Sequence, residues 1–132
     1  GTRHSYMNRE VNVMEQDEFD AWVADEQAAV EQLSPVDFGE KLAQENGCQS
    51  CHSVDGTTLV GPTWQGLFGS ERPLEDGTTV VADEAYLLNA IIDPNAQIEK
   101  GFPANVMPQD YGERFTEEEI NALVAYIESL GQ

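Results

Sequence analysis

The sequence predicts a mainly α protein of short helices with one small hairpin, preceded by an arm of one strand and one helix. Three observations carry this expectation. Apolar residues recur at helical spacing in four stretches. Capping residues stand at the start of three of them. Breakers, above all Gly61-Pro62, Asp76-Gly77 and Pro94, keep the stretches short.

The elements follow in chain order. In residues 1–14, Val11 and Val13 alternate with polar neighbours, which predicts a short strand. From Glu15 to Leu33 the pattern is helical, with Phe19, Trp22, Val23, Val30 and Leu33 near one face and acids on the other. Ser34-Pro35-Val36-Asp37 opens the next helix: Ser34 caps, Pro35 suits the first turn and Asp37 closes a capping box. That helix is expected over about 35–46, stopped by Gly47. Thr63 to Phe68 reads as a short helical turn. Arg72–Glu75 and Thr78–Val81 flank Asp76-Gly77 as a hairpin. Asp83 caps a helix to about Ile92, ended by Pro94, with Tyr86, Leu87, Ala90 and Ile91 as its apolar positions. Residues 94–115 read as a loop. Thr116-Glu117-Glu118-Glu119 is a capping box before a stripe of Ile120, Leu123, Val124, Ile127 and Leu130, with Gly131 placed to end the helix.

Composition excludes several roles. The chain has 132 residues, room for one ordinary domain and an arm. Its 25 acidic residues against 6 basic ones give a net charge of −19. Such a chain does not neutralise phosphates, so nucleic acid is excluded as a partner. Docking on an anionic membrane surface is disfavoured for the same reason. No apolar run approaches the roughly 20 residues of a transmembrane helix, so no membrane contact is expected of this piece itself. Gly1 does not read as a natural start and no signal peptide opens the chain. A processed chain or an excised piece is the expectation.

Cys48 and Cys51 are the only cysteines, and His52 follows directly in Cys48-Gln49-Ser50-Cys51-His52. C-x-x-C-H is the pattern of covalent c-type haem attachment. Two thiols one helical turn apart can each add to a vinyl group of one porphyrin, and the next residue then turns its imidazole to the iron from the same side. A thiol–disulfide switch is the competing reading, but it expects a βαβ setting and leaves His52 idle. Half of a zinc site is the third, and no second Cys or His pair completes it. The haem also solves a packing problem. A few short helices in about 97 residues bury little apolar surface alone, so the domain is expected to fold poorly without its cofactor.

His52 supplies one axial ligand, and its other ring nitrogen is expected to donate to a backbone carbonyl, with Pro62 as the candidate. The opposite face could take Met, His or nothing. Of Met7, Met14 and Met107, only Met107 lies beyond the domain boundary near residue 34, in Asn105-Val106-Met107-Pro108. Pro108 holds Met107 extended; the alternative is that Met107 fills a gap in the core. Met107 is taken as the sixth ligand because His/Met is the arrangement of electron-transfer cytochromes. With both axial positions filled, the iron gains and loses one electron and does nothing else. An open iron position, as in a haem sensor or peroxidase, requires Met107 to be off the metal.

Gly39-Glu40-Lys41-Leu42 leading into Gly47-Cys48-Gln49-Ser50-Cys51-His52 resembles the first helix and haem motif of class I cytochromes c. So do Gly61-Pro62 with Gly66-Leu67, Met107-Pro108, and Leu123-Val124-Ala125-Tyr126-Ile127. The resemblance implies the class I cytochrome c fold over residues 36–132, wrapped around one covalent haem c, in a periplasmic or otherwise extracytoplasmic setting. It makes Trp64 and Arg72 candidate neighbours of the haem propionates. One departure is Ala43, where many relatives carry an aromatic that packs on the last helix, so Tyr126 must find another neighbour.

The first residues carry a second resemblance. Gly1-Thr2-Arg3-His4-Ser5-Tyr6-Met7, with Val11-Asn12-Val13 and Phe19-Asp20-Ala21-Trp22, is similar to the end of the copper domain of cytochrome c oxidase subunit II. His4 and Met7 match the histidine and methionine that close its binuclear copper centre, CuA. The bridging cysteines would precede Gly1, so the piece itself is not expected to bind CuA. The resemblance implies a remnant of the copper domain at 1–14, a linker helix at 15–35 and a cytochrome c domain at 36–132, as in a caa-type oxidase. The implied function is one-electron transfer from an external donor protein, through the haem, to the CuA domain of the same parent subunit. The alternative is a free-standing soluble cytochrome c shuttle. The domain itself is then a carrier, and enzymatic activity belongs to the implied oxidase.

Overall fold

Side-chain oxygens start three of the described helices where their apolar stripes begin, and the computed structural model describes residues 11–131. Contacts divide the chain into two units, 1–32 and 33–132. In the first, helix α1 spans Gln16–Glu31. On it the rings of Phe19 and Trp22 meet at 5.9 Å; the side chain of Val30 lies outside the described residues. Residues 11–15 form no strand, contrary to the alternation at Val11 and Val13. A strand needs a partner to satisfy its amides; these two side chains are 82% and 95% exposed, so alternation alone decided nothing. His4 and Met7 lie outside the described residues.

In the second unit, α2 spans Pro35–Glu45, with Pro35 in its first turn. The Asp37 amide donates to Ser34 Oγ at 3.2 Å. The expected capping box does not close: the Ser34 hydroxyl donates to the Asp37 carboxylate at 2.7 Å instead. Gly47, at φ 70°, ends the turn. A 3₁₀ turn, Cys48–Ser50, follows at once. The hairpin pairs β1 (Glu71–Pro73) with β2 (Thr79–Val81), Arg72 opposite Val80. Asp76 closes it by accepting the Thr78 amide at 2.8 Å. Helix α3 (Glu84–Ile92) starts at Asp83, which accepts the Tyr86 amide at 2.9 Å.

Two expectations between these elements are corrected. Thr63–Phe68 forms turns without helix, because Gly66 and Gly69 sit at φ 68° and 78°. Residues 94–115 are not all loop: α4 covers Tyr111–Arg114. It has too few residues for a readable period. It is held by the Arg114 guanidinium over the rings of Tyr111 and Phe115 and by its bond to Asn46 at 3.2 Å. Finally, α5 (Glu117–Ser129) opens with a full capping box between Thr116 and Glu119.

The core is built on the contact of α2 with α5. A Cβ on Gly39 would lie 2.0 Å from the Ala122 carbonyl oxygen and 2.8 Å from Tyr126 Cβ. Only glycine lets the two backbones approach this closely. Ala43 is fully buried beside this contact. Tyr126 finds its other neighbours in Trp64, edge-on at 6.1 Å, and in Gln49, whose amide donates to its hydroxyl at 3.0 Å. Helix α5 therefore has two inner faces. Ala122 and Tyr126 meet α2, while Leu123 and Ile127 turn toward a cavity.

Candidate haem site

The local winding of Cys48–His52 gathers its reactive side chains. The amides of Cys51 and His52 both donate to the Cys48 carbonyl, at 3.1 and 3.0 Å. Cys48, Cys51 and His52 consequently line one cavity of about 330 Å³, and Met107 lines the same cavity from the far loop. Both thiols are free and partly buried.

The His52 ring is held on three sides. Its Nδ1 lies 2.8 Å from the Pro62 carbonyl oxygen. A carbonyl only accepts, so Nδ1 carries the proton and Nε2 keeps a free lone pair. Trp64 stacks on the ring at 5.2 Å and 12°. Gly61 closes the third side: a Cβ there would stand 2.6 Å from His52 Cε1. The loop that supplies these three groups is tied back to the motif, with the Gly61 amide on the Cys51 carbonyl at 2.9 Å and the Trp64 amide on the Ser53 carbonyl at 2.8 Å.

Burial lowers the His52 pKa below its ordinary value, opposed by the bond to Pro62 and the charge of Glu99. The neutral imidazole that results is the form that binds a metal. Burial likewise pushes the Cys48 thiol up.

Met107 is held by a strained turn. Asn105, at φ 61°, is the one described non-glycine residue with a left-handed backbone. Asn95 stabilises it twice: its Oδ1 accepts the Asn105 amide at 2.9 Å, and its Nδ2 donates to Asn105 Oδ1 at 3.2 Å. Met107 packs against the apolar core from this loop.

The remaining candidates sit one step back. Trp64 lines the cavity from behind His52. The guanidinium of Arg72 is outside the cavity lining and engaged by Glu99, with Nε to Oε2 at 3.0 Å and a second, shorter bond from Nη2 to Oε1. Gly61 and Glu99 are site residues that sequence reasoning missed. The Gly61-Pro62 pair was a readable signal for the first. Nothing in the sequence flagged the second.

The donor set fits a haem. Close-packed interiors keep few voids larger than a water molecule, yet here Ile91, Leu123, Ile127, Phe102, Val106 and Tyr111 line an open apolar slot. Among the described residues no large side chain is less than 2% exposed, because those that would meet at the centre face this slot. No three His, Cys, Asp or Glu side chains converge as a metal site among the described residues. Two thiols and an imidazole on one wall, with a thioether available on the same cavity, suit a flat apolar group that brings its own equatorial ligands.

The cytochrome c family pattern matches residues 36–131. Cytochrome c oxidase subunit 2 of Alkalihalophilus pseudofirmus is 37% identical over 133 residues, covering 98% of this chain and 36% of that protein. The chain thus spans about a third of the length of the curated relative it matches. Cytochrome cH from Methylobacterium extorquens superimposes with a TM-score of 0.49 at 21% identity, covering 71% of this chain and 97% of the other. The mostly helical architecture with its two-stranded sheet is the class I cytochrome c fold. The chain belongs to the cytochrome c family, whose members carry covalently bound haem c and transfer electrons.

Proposed function

We propose that this chain is the cytochrome c domain of a caa-type oxidase subunit, passing single electrons from an external donor protein to a CuA centre in the same parent. The observation that carries the electron-carrier part is the convergence of Cys48, Cys51, His52 and Met107 on one apolar cavity. In this reading Cys48 and Cys51 would hold the haem covalently through their thiols, and His52 and Met107 would supply the protein's ligands to its iron. The bound group supplies an iron that cycles between ferric and ferrous states. The protein's own part is to hold that iron in a fixed, dry setting. Pro62, Gly61 and Trp64 hold the imidazole; the Asn95–Asn105 turn holds the thioether. A soft neutral ligand and apolar walls favour the less charged ferrous state and raise the potential. For Trp64 and Arg72 the geometry supports roles behind the cofactor: one buttresses His52, the other reaches the cavity through Glu99.

The oxidase part is supported by the relative named cytochrome c oxidase subunit 2, whose similarity covers 98% of this chain, beyond the family match that begins at residue 36. In that parent, His4 and Met7 are CuA ligands completed by cysteines upstream, 15–35 is the linker, and the domain lies on the extracytoplasmic side of the membrane. Tethering makes the encounter of haem and copper intramolecular, with an effective concentration on the order of mM for a short flexible link.

Two measurements test the reading. Purified from a haem-attaching host, the protein is expected to show the Met–Fe(III) charge-transfer band and to refuse carbon monoxide when reduced. Ready carbon monoxide binding overturns the His/Met assignment. In the full-length parent, reduced haem is expected to pass its electron to copper at a rate independent of protein concentration. A rate that rises with concentration identifies a free shuttle instead.

A further inference from the structure

One part-buried ion pair, Arg72 with Glu99, stands beside the residues that would hold the haem. Glu99 lines the haem cavity with a side chain only 9% exposed, and both carboxylate oxygens are taken by Arg72. Of the two residues, Glu99 lines the cavity and Arg72 does not. The backbone fixes this arrangement. Glu99 bridges to Leu74, the Lys100 amide donates to the Pro73 carbonyl at 2.8 Å, and the Glu75 amide to the Ile98 carbonyl at 2.9 Å. This single bridge just beyond the end of β1 places Glu99 beside Arg72. Tyr86 of α3 and His52 line the same cavity as Glu99.

We propose that Glu99 sets the reduction potential of this haem, its carboxylate holding the iron toward the ferric state, and that Arg72 is a positioning residue which orients and partly compensates that charge. Within an apolar wall a fixed charge acts on the iron with little screening, unlike the exposed acids of the outer surface. Reduction adds one electron near a negative group, so the ferrous state is disfavoured. The axial pair and dry pocket push the potential up, and Glu99 pulls it back. Arg72 acts through Glu99 because it does not itself reach the cavity wall.

This rests on the haem electron-carrier reading, and the test separates the two. In the haem-loaded protein, Glu99→Gln is expected to raise the ferrous-to-ferric ratio at fixed ambient potential about tenfold, ~59 mV for one electron. Arg72→Gln is expected to shift it the opposite way, and the double variant to fall between the two. The Met–Fe(III) band is recorded for each to establish that the axial ligands are retained. An unchanged or lowered potential in Glu99→Gln overturns the inference, as does a shift of both single variants in the same direction, which marks a merely structural pair. Should Glu99→Gln fail to load haem, Arg72→Gln decides by sign: a fall supports the inference, no change or a rise overturns it. A wild-type protein that carries no haem would instead sink the underlying reading.

Discussion

At the scale of single residues, the proposed haem site depends on what surrounds one imidazole. Pro62 fixes the proton on Nδ1, Trp64 covers one ring face, and Gly61 leaves room for the edge. The bond to Pro62 was readable, since C-x-x-C-H demands a carbonyl partner and Gly-Pro offers one nearby. The contact at Gly61 was not, because no local pattern says which ring will fold against a glycine. Gly61→Ala is expected to cost about 1–3 kcal/mol through overpacking, read as a lower Tm of the ferric protein with a weaker Met–Fe(III) band. An unchanged melt removes the contact from the argument. A second residue effect is pH-dependent. Asp76 is held below the usual carboxylate range by the Thr78 hydroxyl and amide. Its stabilisation is therefore complete above the unfolded-state carboxylate pKa and is lost as pH falls through the folded value. Asp76→Ala is expected to lower Tm near neutrality and to converge with wild type in acid; a pH-independent difference would contradict this.

At the scale of elements, capping chemistry and helical period located α2, α3 and α5 to within a residue or two, because both are local. Where pairing or remote contacts decide, sequence reading failed. The alternation at Val11 and Val13 made no strand without a partner. Helix α4 exists because Arg114 covers two rings and reaches Asn46, which lies 68 positions away in the chain. The contact of α2 with α5 is the most sensitive joint. A Cβ at Gly39 meets backbone, and backbone cannot rotate aside. Gly39→Ala is expected to destabilise the haem-loaded protein by about 3 kcal/mol, toward the upper end of overpacking costs, measured by denaturant unfolding. A loss below ~0.5 kcal/mol, the range of neutral surface changes, would mean that the helices can separate freely.

At the scale of the whole molecule, the haem region and its surface divide the electrostatic work. Residues 36–132 hold 17 acidic and 4 basic residues, almost all on the outer surface, where salt screens them. Around the cavity mouth, Val60 and Val106 are about half exposed and uncharged. Small redox reagents should report the outer field. Electron exchange with a cationic metal complex is expected to slow as ionic strength rises, and exchange with an anionic one to quicken. Stopped-flow rates at several salt concentrations check both signs, and equal slopes would show that the surface charge does not reach the electron-transfer site.

The sequence by itself determined the cofactor class, the C-x-x-C-H motif and the starts of α2, α3 and α5. Each of these is written in adjacent residues. Only the tertiary structure decided that Gly39 would join two helices, that Gly61 would face His52, that Trp64 would stack on it, and that Glu99 would line the cavity bonded to Arg72. The reason is physical: caps and covalent motifs act over one turn of chain, whereas close packing and buried charge depend on which distant segments the fold brings into contact.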